Sequence, residues 1–317
     1  MITGASGFIG RRLRDRLLAE GWDVVAIRRP VSKAPQEGRS VVLEYGDRPG
    51  LALLFEKERP ALVLHVAGAT KGVRRDDFWD GNVKPTAQLC GALQDAQHQP
   101  ERFLLVSSLA AYGPSGERPL IESDPQNPIE LYGESKREAE RVVQDSGLRF
   151  TIIRPSGVYG PGDVDFLELF RWANRQLNVF PANRQQQVSV VYVDDLVDAT
   201  LAAALHPNTV GRGYFICDGE PVSFEHFQRQ IARMLEKKAW ELDVPGPVVD
   251  LAAFSGELLS KLDGKPRLFN RQKRKLGKAN FVCTHQAAKR DFGYTPKVPL
   301  TEGLARTRDW YRQEGWL

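Results

Sequence analysis

The chain has 317 residues, 42% hydrophobic and 26% charged, with a formal net charge of +4, long enough to bury a sizeable core in two unequal domains. The small net charge, without a dominant cationic run, argues against nucleic acid as a partner, and no apolar run reaches membrane-spanning length. Three isolated cysteines (Cys90, Cys217, Cys283) and five scattered histidines suit reduced thiols in a cytoplasm, with no metal site, and no signal peptide precedes the first motif.

Met1-Ile2 leads directly into Thr3-Gly4-Ala5-Ser6-Gly7-Phe8-Ile9-Gly10. An amphipathic run follows, with Leu13, Leu17 and Leu18 on one face and Gly21 as its stop, and residues 24–27 form a short apolar strand. Strand, glycine-rich turn, helix and strand begin a doubly wound parallel sheet. Glycines at such a turn let backbone amides approach a pyrophosphate at the positive end of a helix. The Gly-x-x-Gly-x-x-Gly spacing is looser than the usual dinucleotide fingerprint. Two residues are too few for a full central strand, so further residues are expected upstream of Met1. The second strand ends in Arg28-Arg29-Pro30. An acidic residue about 20 residues beyond the glycines would suit the ribose hydroxyls of NAD. Arginine there suits a 2′-phosphate instead, so NADP is expected over NAD, which remains open.

Residues 41–44 read as a third strand, followed by Asp47, which either reaches an adenine amine or caps the helical run 51–58. Residues 61–68 are a buried parallel strand ending in Ala67-Gly68, small enough for a cofactor to lie across the sheet edge. His65 on that strand reads as a buried histidine and not as a catalytic base. The helical stretch 76–97 carries Asn82 and Thr86, and the asparagine is either a buried polar group under the site or an exposed one. The strand 103–108 ends in Ser107-Ser108, where open parallel sheets collect their ligands. After a loop over 112–131, Tyr132-Gly133-Glu134-Ser135-Lys136 opens a long helical pattern that sets Tyr132 and Lys136 one turn apart on one face. A free tyrosine, with a pKa of about 10, is a poor acid or base near neutrality, and a nearby ammonium would lower that value.

In order along the chain, these residues and the later motifs Arg154-Pro155-Ser156-Gly157-Val158-Tyr159-Gly160-Pro161-Gly162 and Val193-Asp194-Asp195-Leu196 resemble the extended short-chain dehydrogenase/reductase family, also called the NAD-dependent epimerase/dehydratase family. The match covers roughly the first 200 residues. The resemblance implies an α/β fold, a doubly wound Rossmann sheet over 1–160 to which 188–217 returns, with a smaller substrate domain over 161–317. It implies Tyr132 as general acid/base, Lys136 as the cation that lowers its pKa and holds the nicotinamide ribose, and Ser108 as the donor to a substrate oxygen. It also implies Gly4, Gly7 and Gly10 around the pyrophosphate, with Ser6, Phe8 and Ile9 of the same loop. Arg28, Arg29, Asp47, Ala67, Gly68, Pro155 and Val158 complete the expected cofactor contacts.

Within 161–317, residues 166–173 are an amphipathic helix, 188–193 a strand and Asp194 an N-cap for the run to His206. Residues 214–217 rejoin the main sheet, and 223–237 form a capped helix. The amphipathic stretch 248–262 could close over a substrate. Lys265-Pro266-Arg267 and Arg271-Gln272-Lys273-Arg274-Lys275 form the most basic segment, read as a solvated face ahead of an anionic substrate or an acidic membrane surface. The closing helix, 301–310, packs through Leu304 and Trp310. The functional expectation is an NADP-dependent oxidoreductase acting on a ketone or secondary alcohol, resembling the steroid-dehydrogenase and dihydroflavonol-reductase branches. Leu109-Ala110 stand where sugar-nucleotide 4,6-dehydratases carry an acidic pair. Two alternatives are a nucleotide-sugar epimerase, with Arg171, Arg175 and Arg184 gripping a diphosphate, and an idle NADP-binding sensor. The partner is a small-molecule substrate, and pairing into a homodimer is left open.

Overall fold

A computed structural model describes residues 1–35, 37–181, 183–264 and 271–317. Apolar runs bounded by glycine, proline and polar turns form the strands β1 (Ile2–Thr3), β2 (Val25–Arg28), β3 (Arg39–Val42), β4 (Leu62–His65), β5 (Arg102–Val106) and β6 (Phe150–Pro155). With the strand Arg212–Ile216 at one edge, they form a seven-stranded sheet ordered Arg212–Ile216, β6, β5, β4, β1, β2, β3. All its pairings are parallel. Chain order reverses between β1 and β4, so the carboxyl ends of these strands open a crevice there. The sheet strands β4 and β5 are buried throughout, as expected when helices cover both faces.

On one face α1 (Phe8–Ala19) and the helix Val193–Leu205 pack Leu13, Leu17, Leu196 and Val197 against Ile2, Leu64 and Leu104. On the other, α2 (Arg48–Glu58), α4 (Lys84–Asp95) and α5 (Leu131–Gln144) pack Phe55, Leu89, Leu93 and Val143 against Val63, Phe103 and Ile152. The expected helix over 76–97 is interrupted: the short α3 (Arg75–Phe78) passes through a π-helical turn, Trp79–Val83, into α4. β3 begins and ends two residues earlier than the expected 41–44.

A separate core lies beyond β6. The helices Leu167–Asn174, Phe224–Met234 and Leu300–Gln313 bury Phe170, Phe227, Leu304 and Tyr311 against Tyr159 and Tyr192. Asp194 does not cap its helix: Tyr192 occupies that position, and Asp194 accepts a hydrogen bond from Arg12 Nη1 at 2.6 Å, tying the helix to α1. The expected strand over 188–193 is split into Gln187–Val188 and Val190–Tyr192, the latter pairing with Gly157–Tyr159. Of the basic segment, Lys265, Pro266 and Arg267 lie outside the described residues, and Arg271–Leu276 is helical.

Candidate active site

Two features bring Tyr132 to the end of β5. Glu130 caps α5 by accepting from the Gly133 amide at 3.0 Å. Gly133 then lets the helix start press on the turn after β5, because a Cβ at Gly133 would stand 2.3 Å from the Ala110 carbonyl oxygen. Ser108, whose Oγ accepts from the Ala110 amide at 3.1 Å, is thereby set beside Tyr132. One turn on, Lys136 is buried and its Nζ donates to the Val106 carbonyl at 2.9 Å. Burial lowers its pKa to about 8, against an opposing pull from Glu140.

Partial burial pushes the Tyr132 phenol up to about 12; a hydrogen bond with Ser108 pulls down, and Glu130 and Asp165 push further up. The charge of Lys136 is felt by His65, which burial first and then Lys136 hold down at about 3. The neutral imidazole is bonded at both ends. Nδ1 lies 2.7 Å from Thr3 Oγ1, and Nε2 lies 3.0 Å from Thr86 Oγ1. Thr86 itself donates to the Asn82 carbonyl at 2.6 Å, so Thr86 accepts from Nε2–H and Thr3 donates to Nδ1. His65 is therefore a structural link from β1 to α4.

Asn82 is the buried one of its two readings. Its Oδ1 accepts from the Ala69 amide at 2.8 Å, while Nδ2 donates to the Ala69 carbonyl at 3.0 Å and to Ser135 Oγ at 2.9 Å. Ser135 passes the link to the Tyr132 carbonyl at 2.7 Å. One side chain on a π-turn thus fixes the loop after β4 against the helix that carries Tyr132 and Lys136. Ser135 stands inside the Tyr132–Lys136 stretch, but spacing assigned it no role, because its hydroxyl acts through this contact.

Behind Lys136 a groove of about 560 Å³ runs over the strand ends, lined by Gly4, Ser6, Gly7, Arg28, Arg29, Ala67 and Gly68 among others. Gly4 has φ +72°, and a Cβ there would lie 2.6 Å from the Ala67 amide nitrogen. Gly10 allows α1 to reach the turn, since its Cβ would fall 2.1 Å from the Gly4 carbonyl oxygen. Phe8 and Ile9 form the first turn of α1 behind Gly7, which supplies no side-chain cap; Gly7 lines the groove, while Phe8 and Ile9 do not. A side chain at Gly68 would collide with Asn82 Oδ1 at 2.7 Å, so the groove floor is kept clear by geometry. These features fit a dinucleotide: an uncapped helix start at Gly7 for a pyrophosphate, a cleared floor and cations at the adenosine end.

Two expected contacts, Asp47 and Val158, stand elsewhere. Asp47 caps α2, accepting from the Gly50 amide at 3.0 Å, and is absent from the groove wall, where Glu44, Tyr45 and Gly46 stand. Val158 pairs with Val191 and packs on the core. Arg28 and Arg29 do line the groove, and Ser32 and Lys33 join them, two residues that the proline-broken turn after Arg29 concealed.

On the far side of Tyr132 opens a cavity of about 930 Å³. Ser108, Tyr132 and Pro155 lie in its wall, with Phe166, Leu169, Trp172, Val190 and Phe227 giving it an apolar lining. Asp163 holds the loop that carries Phe166, accepting from the amides of Asp165 and Phe166 at 2.8 and 2.9 Å, and burial raises its pKa to about 6. Arg171, Arg175 and Arg184 do not line this cavity. Arg171 pairs with Glu168, and Arg184 is held by Asp243, Glu241 and Glu225.

Residues 1–217 match the family model for the NAD dependent epimerase/dehydratase family. The chain belongs to that family. As a member it is an NAD(P)-dependent enzyme of the extended short-chain dehydrogenase/reductase group. It is 30% identical to a ceramide reductase of Caulobacter vibrioides, over 100% of this chain and 95% of that protein. It is 27% identical to a UDP-glucose 4-epimerase of Vibrio cholerae, over 99% and 95% of the two chains. Among solved structures, the epimerase Mth375 of Methanothermobacter thermautotrophicus superposes with a TM-score of 0.80 at 20% identity, covering 99% of this chain and 92% of that one. MoeE5, solved with UDP-glucuronic acid and NAD, gives 0.77 at 23%, over 99% and 98%. These likenesses establish the family and the Rossmann fold; reductases and epimerases both stand among the relatives.

Proposed function

We propose that the chain is an NADP-dependent oxidoreductase that interconverts an apolar ketone and its secondary alcohol. The observation that carries this reading is the wall around Tyr132: a largely apolar cavity that Arg171, Arg175 and Arg184, the arginines expected for a nucleotide diphosphate, do not enter, and whose cations Lys71 and Arg274 are paired with Asp165 and Asp250. The ceramide reductase relative supports the same direction. Arg28, Arg29 and Lys33 along the groove favour a 2′-phosphate, since guanidinium and ammonium groups pair with it by charge-assisted hydrogen bonds. We assign Gly4, Ser6, Gly7, Ala67 and Gly68 to the cofactor groove and the large cavity to the substrate.

When bound, the nicotinamide supplies or takes the hydride. The chain's residues handle position and proton. Ser108 donates to the substrate oxygen, and the Tyr132 hydroxyl gives that oxygen its proton in reduction or takes it back in oxidation. A phenol raised to about 12 is fully protonated near neutrality, which suits the reductive direction. Lys136, held on the Val106 carbonyl beneath Gly68, presents its charge to the ribose side.

The test is NADPH consumption with a series of ketones of growing alkyl chain. Turnover that rises with chain length and prefers NADPH over NADH supports the reading. Interconversion of UDP-glucose and UDP-galactose, with tightly retained cofactor and no net oxidation, would replace it with the epimerase. Cofactor binding with no turnover of either class would leave the sensor.

A further inference from the structure

The wall of the large cavity can be followed away from Tyr132 along one extended stretch of chain. Ser108, Tyr132 and Pro155 stand at its start. Gly157 pairs in register with Val190, and a Cβ on Gly157 would lie 3.3 Å from Phe166 Cζ and 3.6 Å from Val190 Cγ1. Phe166 and Val190 therefore form the next part of the wall. Val188 follows, bridged to Phe281, whose carbonyl accepts from the Ser189 amide at 2.9 Å. Beyond it, Gln186 Nε2 donates to the carbonyls of Leu276 and Ala279 at 2.8 and 2.7 Å. Val188, Gln186, Leu276 and Phe281 all line the cavity. The chain is extended through Gln187–Val188 and Val190–Tyr192, so the wall from Val190 to Gln186 spans up to about 14 Å.

The far end is bounded by Leu276, Arg274 and the helix Gly246–Asp263, whose buried Val249 and Ala253 line the cavity. Polar side chains along this half bond to the chain itself. Arg274 Nε donates to Asp250 at 2.8 Å and its Nη1 to the Pro181 carbonyl at 3.4 Å. Ser189 Oγ accepts from the Cys283 amide at 3.2 Å and donates to the Cys283 carbonyl at 3.4 Å. A sugar-like body laid here would exchange water for groups already engaged, which disfavours it. Alkyl carbon gives up no hydrogen bond and gains from burial.

We propose that the substrate is a ketone carrying an extended alkyl tail, with its carbonyl at Ser108 and Tyr132, and that Leu276 sets the tail length the enzyme accepts. The tail runs past Phe166 and Val188 to the far end. Leu276 suits that role by its mounting: Gln186 holds its backbone through the carbonyl, and the residue is half-buried in the cavity wall. A wall fixed in place selects by size, since one methylene more or less in an apolar pocket changes kcat/KM by about 10- to 200-fold. The placement of the carbonyl rests on the reductase reading; the site for the tail does not.

The experiment compares the full chain with Leu276→Trp and Leu276→Ala, using methyl ethyl ketone and methyl decyl ketone. The readouts are kcat/KM for NADPH-dependent reduction and the affinity of methyl decyl ketone by calorimetry. The parent is expected to favour the decyl ketone. Leu276→Trp, which fills the far end, is expected to lower the decyl-to-ethyl ratio of kcat/KM at least about tenfold and to weaken decyl ketone binding to match. Leu276→Ala, which opens that end, is expected to move the preferred tail beyond decyl. Gln186 bonds the backbone of Leu276 and not its side chain, and thermal unfolding with NADPH affinity checks that both variants are folded. A parent that favours the ethyl ketone, or a ratio that neither variant changes, overturns the proposal and leaves the reductase reading intact. If no ketone is reduced, the reductase reading falls and binding alone decides the tail site. Decyl ketone binding that weakens in Leu276→Trp then sustains it, and binding that is absent or unweakened overturns it.

Discussion

On the cofactor side of Tyr132, Thr3, His65, Thr86, Asn82 and Ser135 form a hydrogen-bonded chain from β1 to α5. On the substrate side Phe166, Leu169, Trp172 and Phe227 make a wall of packed rings and aliphatic groups, with Phe166 and Phe227 centroids 5.2 Å apart. The first arrangement fixes atoms to a fraction of an ångström, because each donor has one acceptor and a misplaced partner leaves a buried polar group unpaired. The second admits changes of shape, since apolar contacts are non-directional. On the proposed reductase reading, the first would hold one cofactor and the second would accommodate a variable apolar substrate.

The comparison predicts large penalties on the bonded side and small ones opposite. Glu140 receives Arg154 Nε and Nη2 at 3.0 and 2.9 Å with both side chains buried, and it fixes α5 to β6. Glu140→Ala leaves that guanidinium buried without its carboxylate and is expected to cost about 3–5 kcal/mol in urea unfolding. A cost near zero would mean that the helix is not clamped there. Gly133→Ala forces α5 away from the Ala110 carbonyl and parts Tyr132 from Ser108. Turnover is expected to fall about 100-fold while NADPH affinity is kept, because a shift of about 1 Å in a reacting group has that effect. Full activity in this variant would uncouple the glycine from the site.

His65 gives a pH test. Its folded value near 3 lies below its ordinary 6.5, so between those limits the unfolded chain binds more protons. Stability is therefore expected to be complete above about pH 6.5 and to fall by about 1.4 kcal/mol per pH unit on acidification toward 3. His65→Gln should flatten that slope, and an unchanged slope would assign it to other groups. The smallest effect is expected on the substrate side. Arg184→Ala, which removes a surface ion-pair cluster outside the cavity, should leave kcat and KM within about twofold, and a large rise in KM would return the diphosphate reading.

The same contrast governs what the sequence revealed. The glycine turn, the strand-end serines and the Tyr132–Lys136 pair were legible because backbone geometry and short helical spacing dictate those residue types locally. The doubly wound order followed from alternating strand and helix signals. Asp47 was ambiguous because an N-cap and an adenine contact ask for the same residue. The raised phenol of Tyr132 was not legible at all, since it depends first on burial and then on Glu130 and Asp165, which only the folded chain brings together. Nor could spacing show that Arg184 is consumed by Asp243, Glu241 and Glu225, residues tens of positions away.

The central claim is that Tyr132 carries the proton at the junction of these two sides. It is tested most directly by single-turnover oxidation of NADPH by Tyr132→Phe alongside the parent, with NADPH affinity measured on both. The account predicts a rate at least about 100-fold lower with affinity unchanged. An undiminished rate in Tyr132→Phe would contradict it.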